Sequence, residues 1–198
     1  MISIGRIKLI LLLTFVLVCL AVEPSTPATA QNNPVVTMET SMGAITIELF
    51  KDKAPKTVEN FLAYARMGFY KGTIFVRVVK GFVIQGGGYT VDMQAKPTLS
   101  PIPNEAKNGL KNTRGTLSMA RYTDINSATS QFFINTHDNT NLDHRSDKPE
   151  EYGYAVFGKV IAGMDVVDKI EAVPTQTKGQ FQNVPIKPIV VNEVKIKE

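Results

Sequence analysis

The sequence lacks several features on which many enzymes and nucleic-acid-binding proteins depend. Its one cysteine, Cys19, lies in an N-terminal apolar segment, so a chain cleaved after that segment has no disulfide and no thiol nucleophile. This composition suits an oxidising compartment. The 22 basic and 18 acidic residues are scattered, with no block of lysine and arginine and little aromatic interleaving. A surface that follows a phosphate backbone is therefore not expected, and we predict no nucleic-acid partner.

The N-terminal apolar run is shorter than a membrane-spanning helix. Two basic residues precede 14 mainly apolar residues at 9–22, whereas a spanning helix needs about 20. The Pro, Ser, Thr and Ala residues that follow end in Ala-Thr-Ala at 28–30, which is the small-x-small pattern of a cleavage site. Residues 1–30 are therefore predicted to be a signal peptide cleaved after Ala30. We expect a periplasmic or secreted mature protein with no stable membrane insertion.

Two alternatives to cleavage remain open. An uncleaved membrane anchor would need a longer apolar run, and lipid modification of Cys19 would favour a smaller residue than Val18 before it. Cleavage removes two basic residues and one acidic residue, which leaves 20 basic against 17 acidic residues in 31–198 and a net charge of +3.

Period-two alternation of apolar residues predicts that most of the mature chain is β-structure. After a short leader at 31–34, strands at 35–40 and 44–50 are predicted to pair, because every second residue from Ile45 to Leu49 is apolar. Similar patterns predict the remaining strands at 75–79, 82–84, 115–120, 131–136, 154–161 and 189–196.

Two segments have helical spacing instead. Apolar residues recur at i, i+3, i+4 and i+7 between Pro55 and Gly68, and a second short helix is predicted at 164–172. Prolines in 90–114 predict a long surface loop. Many short strands with few helices indicate one mainly β domain at 35–198, a closed or nearly closed antiparallel barrel.

The two histidines have neighbours from which a hydrolase triad or a metal site could in principle be built. His137 and His144 lie in a polar loop with Asp138 and Asp143, and Ser130 precedes them. No nucleophile-elbow motif, metalloprotease motif or paired metal-ligand spacing accompanies them. A solvated loop is the simpler interpretation.

Three consecutive glycines, Gly86, Gly87 and Gly88, suggest a phosphate-binding loop. They follow a predicted strand, but no helix opens after them and no Gly-Lys-Ser or Gly-Lys-Thr ending is present. A tight turn or a close approach of another backbone explains the run better.

Three polar residues are unusual within apolar strands: Arg77, Gln85 and Gln131. Each either faces outward, where a long side chain reaches water, or stands on a working face of the sheet. Residue patterns alone leave both interpretations open.

Four strings carry a resemblance to a known family. FVRVVKGFVIQGG at 75–87, LSMAR at 117–121, SATSQFFIN at 127–135 and YAVFGKV at 154–160, in this order and spacing, resemble the cyclophilins, which are peptidyl-prolyl cis/trans isomerases. The likeness covers nearly all of 35–198 and is greatest to secreted, periplasmic bacterial members. It implies a closed eight-stranded antiparallel β-barrel capped by two α-helices.

The resemblance also implies the activity and its partners. The expected substrates are proline-containing peptides and unfolded exported proteins, and the chemistry requires no cofactor and no metal. We expect a monomer. Two other functions remain to be distinguished: a proline-peptide binding module or holdase without turnover, and a hydrolase that uses Ser130 and His137.

Site residues are carried over from the family by position. Arg77 matches the catalytic arginine. Ala120 and Arg121 match a pair that lines the peptide groove, where the second position uses its backbone, so the Arg121 side chain is a local novelty. The other substrate-binding positions implied by the family pattern are Phe82, Val83, Gln85, Gln131, Phe133, Leu142 and Tyr154.

Two positions depart from the family pattern. Asn141 stands where many members have an aromatic residue, often tryptophan, and Tyr154 stands where a histidine is common. Because that tryptophan contributes to binding cyclosporin, we expect weak sensitivity to the drug.

Overall fold

The computed structural model describes residues 33–197, so the predicted signal peptide lies outside the described residues. The elements, in chain order, are β1 (Val35–Thr40), β2 (Gly43–Leu49), α1 (Pro55–Arg66), β3 (Thr73–Val79), β4 (Val83–Thr90), β5 (Thr116–Met119), β6 (Phe132–Asn135), β7 (Val156–Ala162), α2 (Met164–Glu171), β8 (Thr175–Lys178), β9 (Phe181–Pro185) and β10 (Val191–Lys197). Within this range no helix is long and apolar enough to cross a membrane.

Eight strands form one antiparallel sheet in the order β10-β1-β2-β7-β5-β6-β4-β3. The prediction of a closed barrel is wrong, because the sheet has two ends, β3 and β10, and is an open half-barrel. Its ends meet at an isolated bridge between Ile74 and Val190, which is flanked by hydrogen bonds from Gly72 N to Val191 O at 2.9 Å and from Phe75 N to Ile189 O at 3.0 Å. Pro188 comes next along the chain and has no N–H to extend this pairing.

The core lies on the concave side of the sheet, where α1 packs. Ile45, Ile47 and Leu49 of β2 are fully buried, as their alternation predicts. Phe61 of α1 contacts Phe132 of β6 with ring centroids 5.7 Å apart in an edge-on arrangement. Such an aromatic contact adds about 0.5–1.5 kcal/mol to the burial of the rings. This packing holds in place the core-facing sides of the strands that carry the site.

Helix α1 begins at Pro55, as predicted. The missing N–H of proline costs nothing at this position. The Glu105 carboxylate, from the proline-containing loop, accepts hydrogen bonds from Thr57 N at 2.8 Å and from Lys56 N at 3.2 Å. A negative charge at the start of a helix is favourable because it satisfies free N–H groups and opposes the helix dipole. The loop is thereby tied to the helix.

The glycine run lies inside β4, so the interpretation as a turn is wrong. The expected close approach of another backbone is found at Gly86, where a Cβ would lie 3.0 Å from Ile74 O. Gly87 has a φ of 85°, and a Cβ there would lie 2.8 Å from the Phe132 ring. A Cβ on Gly88 would lie 2.5 Å from Gln131 Cγ. The lack of side chains at these glycines leaves room for the Phe132 and Gln131 side chains. The run does not form a phosphate-binding loop.

The hairpin formed by β8 and β9 is absent from the sequence predictions. All four residues of β8 are exposed, and the segment has no apolar alternation. The hairpin packs on the domain through β9, which lies beside β3 and has Val184 and Pro185 buried. The pattern of a half-buried strand is therefore missing from half of the hairpin.

Candidate active site

One cavity brings together most of the residues that the resemblance selects. It has a volume of about 290 Å³, and we call it the main pocket. Nine of the ten predicted site residues line it: Arg77, Phe82, Val83, Gln85, Ala120, Arg121, Phe133, Leu142 and Tyr154. Gln131 is the exception.

Strand register explains why three of these side chains meet. Arg77 on β3 is the partner of Gln85 on β4, and Gln85 is in turn the partner of Phe133 on β6. Residues directly opposite each other on neighbouring strands share one face of a sheet. One row across three strands therefore places a cation, an amide and an aromatic ring side by side.

Arg77 is half-buried and stands on the face that lines the main pocket. Its guanidinium carbon lies 5.7 Å from the centre of the Phe82 ring, which is within the range of a cation–π contact. Among residues 33–197, no carboxylate pairs with Arg77 and no group accepts a hydrogen bond from its side chain. Its N–H groups are therefore available to a molecule in the pocket.

A second cavity, of about 350 Å³, adjoins the main pocket, and we call it the side pocket. Gln131 lines this cavity, and its Oε1 accepts a 3.2 Å hydrogen bond from Gln85 Nε2. The two cavities share Arg77 and Gln85. The remaining lining residues of the side pocket are Val76, Tyr89, Tyr122, Gln180, Phe181 and Gln182.

Tyr154 and Arg121 form the opposite wall of the main pocket. The Tyr154 ring meets Phe133 edge-on with centroids 5.6 Å apart, and the Arg121 guanidinium carbon lies 5.0 Å from the centre of the Tyr154 ring. The guanidinium donates to four backbone carbonyls, those of Tyr122, Thr123, Pro149 and Gly153. The Arg121 side chain is thus a brace between two loops.

The matching family model, "Cyclophilin type peptidyl-prolyl cis-trans isomerase/CLD", spans residues 35–196. The chain belongs to the cyclophilin family. This cyclophilin is 56% identical over 161 residues to a peptidyl-prolyl cis-trans isomerase of Streptomyces antibioticus, covering 81% of this chain and 97% of that relative. It is 52% identical over 176 residues to peptidyl-prolyl cis-trans isomerase A of Dickeya dadantii, covering 89% and 90%.

The fold is similar to that of a cyclophilin of Cryptosporidium parvum crystallised in the presence of the dipeptide Ala-Pro. The TM-score is 0.68 at 31% identity, over 83% of this chain and 99% of the other. Family membership together with these relatives establishes the activity of this cyclophilin as peptidyl-prolyl cis-trans isomerisation.

The hydrolase interpretation finds no support in this cyclophilin. Ser130 is fully buried and its hydroxyl has no hydrogen-bond partner among the described residues, whereas His137 is exposed. His144 instead pairs its Nδ1 with Tyr152 O at 2.9 Å. Residues 33–197 also contain no cluster of His, Cys, Asp and Glu that could hold a metal ion.

A buried polar network behind the main pocket escaped the sequence predictions. Asn139 Nδ2 donates to the Phe82 carbonyl at 2.9 Å and to Asn135 Oδ1 at 2.8 Å. Asn112 Oδ1 accepts from Asn135 Nδ2 at 3.2 Å, and Asn112 Nδ2 donates to the Leu142 carbonyl at 3.1 Å. The network therefore ties together two walls of the pocket. Asparagines are common in turns, so no signal in the sequence separates Asn112 and Asn139 from loop residues.

Proposed function

We propose that Arg77 is the catalytic residue of this isomerase and acts by hydrogen bonding to the twisted amide. Resonance keeps an X-Pro bond planar behind a barrier of ~18–20 kcal/mol, so the uncatalysed reaction takes tens to hundreds of seconds. At the twisted transition state the resonance is lost and the prolyl nitrogen regains a lone pair. A guanidinium N–H beside that nitrogen stabilises the twisted state more than either planar state, which lowers the barrier.

The observation that carries this role is the Arg77 guanidinium, which lines the main pocket without a carboxylate partner among the described residues. A donor already engaged in an ion pair would have to break that pair before acting. A donor that is held in place and free of partners loses no such energy at the transition state. Removing about 7 kcal/mol from the barrier would accelerate the reaction roughly 10⁵-fold.

The other pocket residues bind the substrate in this mechanism. Phe82, Val83, Phe133 and Leu142 provide the apolar surface that grips the pyrrolidine ring. Gln85, Gln131 and backbone groups near Ala120 and Arg121 hold the flanking peptide, and Tyr154 closes the wall beside Phe133. No bond is broken in this reaction, so no proton transfer, metal or cofactor takes part.

Replacement of Arg77 tests the mechanism. Arg77→Ala should lower kcat/KM on an X-Pro peptide by about a hundredfold or more, which corresponds to about 3 kcal/mol of lost transition-state stabilisation. Arg77→Lys should also be poor, because an ammonium does not reproduce the planar fork of donors. Arg66→Ala is the matched control, since Arg66 is an exposed arginine of α1 paired with Glu59. Undiminished turnover by a folded Arg77→Ala protein would remove Arg77 from the mechanism.

The cellular role follows from the N-terminal segment. We propose that the protein is exported, that cleavage follows Ala30, and that the mature monomer isomerises prolines in unfolded exported proteins. The small-x-small pattern after an apolar run supports this assignment. N-terminal sequencing of protein from the periplasmic or secreted fraction should begin at Gln31, and light scattering should give the mass of one chain. Cytoplasmic, uncleaved protein would contradict the assignment.

A further inference from the structure

Phe82, which lines the main pocket, lies in a turn rather than in a strand. β3 ends at Val79 and β4 begins at Val83, so the residues between them are outside the ladder of paired strand residues. The Phe82 side chain is half-buried, and its carbonyl accepts hydrogen bonds from Thr136 N at 3.0 Å and from Asn139 Nδ2 at 2.9 Å. The position of the ring therefore depends on the contacts that hold this turn.

Helix α2 contacts the turn through a carboxylate. The apolar side of this helix is buried, and the helix lies against β2, β3 and β4. Glu171, its last residue, accepts a hydrogen bond from Gly81 N at 2.6 Å. A hydrogen bond from an amide to an ionised carboxylate is roughly twice as strong as one between neutral groups. The residue directly before Phe82 is thus tied to a helix that the core holds in place.

A second carboxylate of α2 is connected to Phe82 through an arginine. Asp168 lies three residues before Glu171, so the two side chains share one side of the helix. Both Asp168 oxygens accept hydrogen bonds from Arg114 Nη2, at 2.8 and 2.9 Å, and Arg114 Nη1 donates to Thr136 O at 2.8 Å. Thr136 N in turn donates to the Phe82 carbonyl. The Arg114 guanidinium therefore joins the helix to a residue that bonds directly to Phe82.

We infer that Glu171, Asp168 and Arg114 are positioning residues that hold Phe82 in its place in the main pocket. None of these three residues lines the pocket, so each acts on the substrate through the Phe82 ring. The inference rests on the proposal that this ring grips the proline. A ring that is held in place before the substrate arrives loses little conformational freedom on binding, which favours affinity. Helix α2 thus contributes to substrate binding as well as to the core.

Two substitutions of Glu171 test the contact with the turn. Glu171→Ala removes the acceptor of Gly81 N and should raise KM for an X-Pro peptide about fivefold, the scale of one lost hydrogen bond, with a smaller change in kcat. Glu171→Gln keeps an acceptor oxygen and should bring KM back to within about twofold of the unmodified protein. Asp165→Ala is the matched control, because this exposed acid of the same helix pairs with Lys169 instead. An unchanged KM in Glu171→Ala, or an equal rise in Asp165→Ala, would overturn the inference.

Combination with Phe82→Ala separates positioning from a general loss of stability. Glu171→Ala and Arg114→Ala should each lower kcat/KM about fivefold in the unmodified protein but have no further effect in Phe82→Ala, because the side chain through which both act is then absent. Asp168→Ala should repeat the Arg114→Ala result, since it removes the anchor of the guanidinium. Losses of the same factor in both backgrounds would contradict the inference. Undiminished kcat/KM in Phe82→Ala alone would instead overturn the assignment of Phe82 to the proline pocket, so the two failures are distinguishable.

Discussion

The Arg121 guanidinium carbon lies 5.0 Å from the centre of the Tyr154 ring, and the same guanidinium donates to Pro149 O at 2.9 Å and to Gly153 O at 3.1 Å. One side chain therefore supports a pocket wall and also fixes the loop that precedes that wall. Arginine suits this task because its planar fork presents several donors in a fixed geometry.

Arg121→Ala should weaken substrate binding more than it slows the chemical step. Loss of the hydrogen bonds and of the ring contact should cost the bound state roughly 1 kcal/mol, or about fivefold in KM, with a smaller change in kcat. Faster amide exchange at 149–153 should accompany the change. Arg145→Ala, an exposed arginine of the same region, should alter neither quantity. An equal fall in kcat with KM unchanged would place Arg121 in the chemical step instead.

Asn139→Ala should destabilise the protein, because it leaves the buried Asn135 Oδ1 without its donor. It also removes one of the two hydrogen bonds to the Phe82 carbonyl, which keeps the bond from Thr136 N. An unsatisfied buried polar group costs about 1–3 kcal/mol, so the free energy of unfolding in urea should fall by about that amount. Asn141→Ala is the matched control, because Asn141 is exposed only two residues away and should change stability by less than about 0.5 kcal/mol. Equal effects from the two variants would mean that the network does not support the pocket.

Gly88→Ala should act by displacing Gln131. The added Cβ would lie 2.5 Å from Gln131 Cγ, and a rotated Gln131 would lose its 3.2 Å hydrogen bond with Gln85. We therefore expect Gly88→Ala and Gln131→Ala to lower kcat/KM by similar factors. The double variant should show no further loss, since both changes remove one interaction. Multiplied losses in the double variant would indicate a separate effect of the glycine on β4.

Cyclosporin sensitivity should increase when the family's aromatic residue is restored. Asn141 is exposed in the cleft beside Arg121 and Tyr154, where a tryptophan ring would add a large apolar contact. Asn141→Trp should tighten inhibition in an isomerase assay by about tenfold or more, the range of an aromatic hot spot. Asn141→Ala serves as the control for loss of the amide alone. Nanomolar inhibition of the unmodified protein would contradict the expected weakness.

Patterns within short segments predicted much of the fold. The alternation in Ile45, Ile47 and Leu49 depends on burial of one face of a strand, and that burial is strong enough to appear in five consecutive residues. The same is true of α1, whose apolar face is buried against the sheet. The eight sheet strands and two helices were therefore predicted from the sequence, with bounds shifted by a few residues except in β4, which continues six residues beyond its predicted end.

Features that depend on distant partners were not predictable in this way. How far β3 and β10 pair depends on contacts between residues more than 100 positions apart, such as Ile74 and Val190, which no local pattern encodes. Asn139 is buried because of partners on other segments, and the polar hairpin of β8 and β9 is held by β9 alone. The main pocket residues were found through a family resemblance, since residue patterns left Arg77 with two possible orientations.

The walls of the main pocket come from β3, β4 and β6, from the two residues that follow β5, from the 3₁₀ helix Thr140–Leu142, and from Tyr154 just before β7. No single hairpin supplies both Arg77 and the ring of Tyr154. A chain that is still being synthesised therefore has no complete site until Tyr154 has left the ribosome. A partly synthesised chain that lacks this segment would be inert toward prolines, including its own.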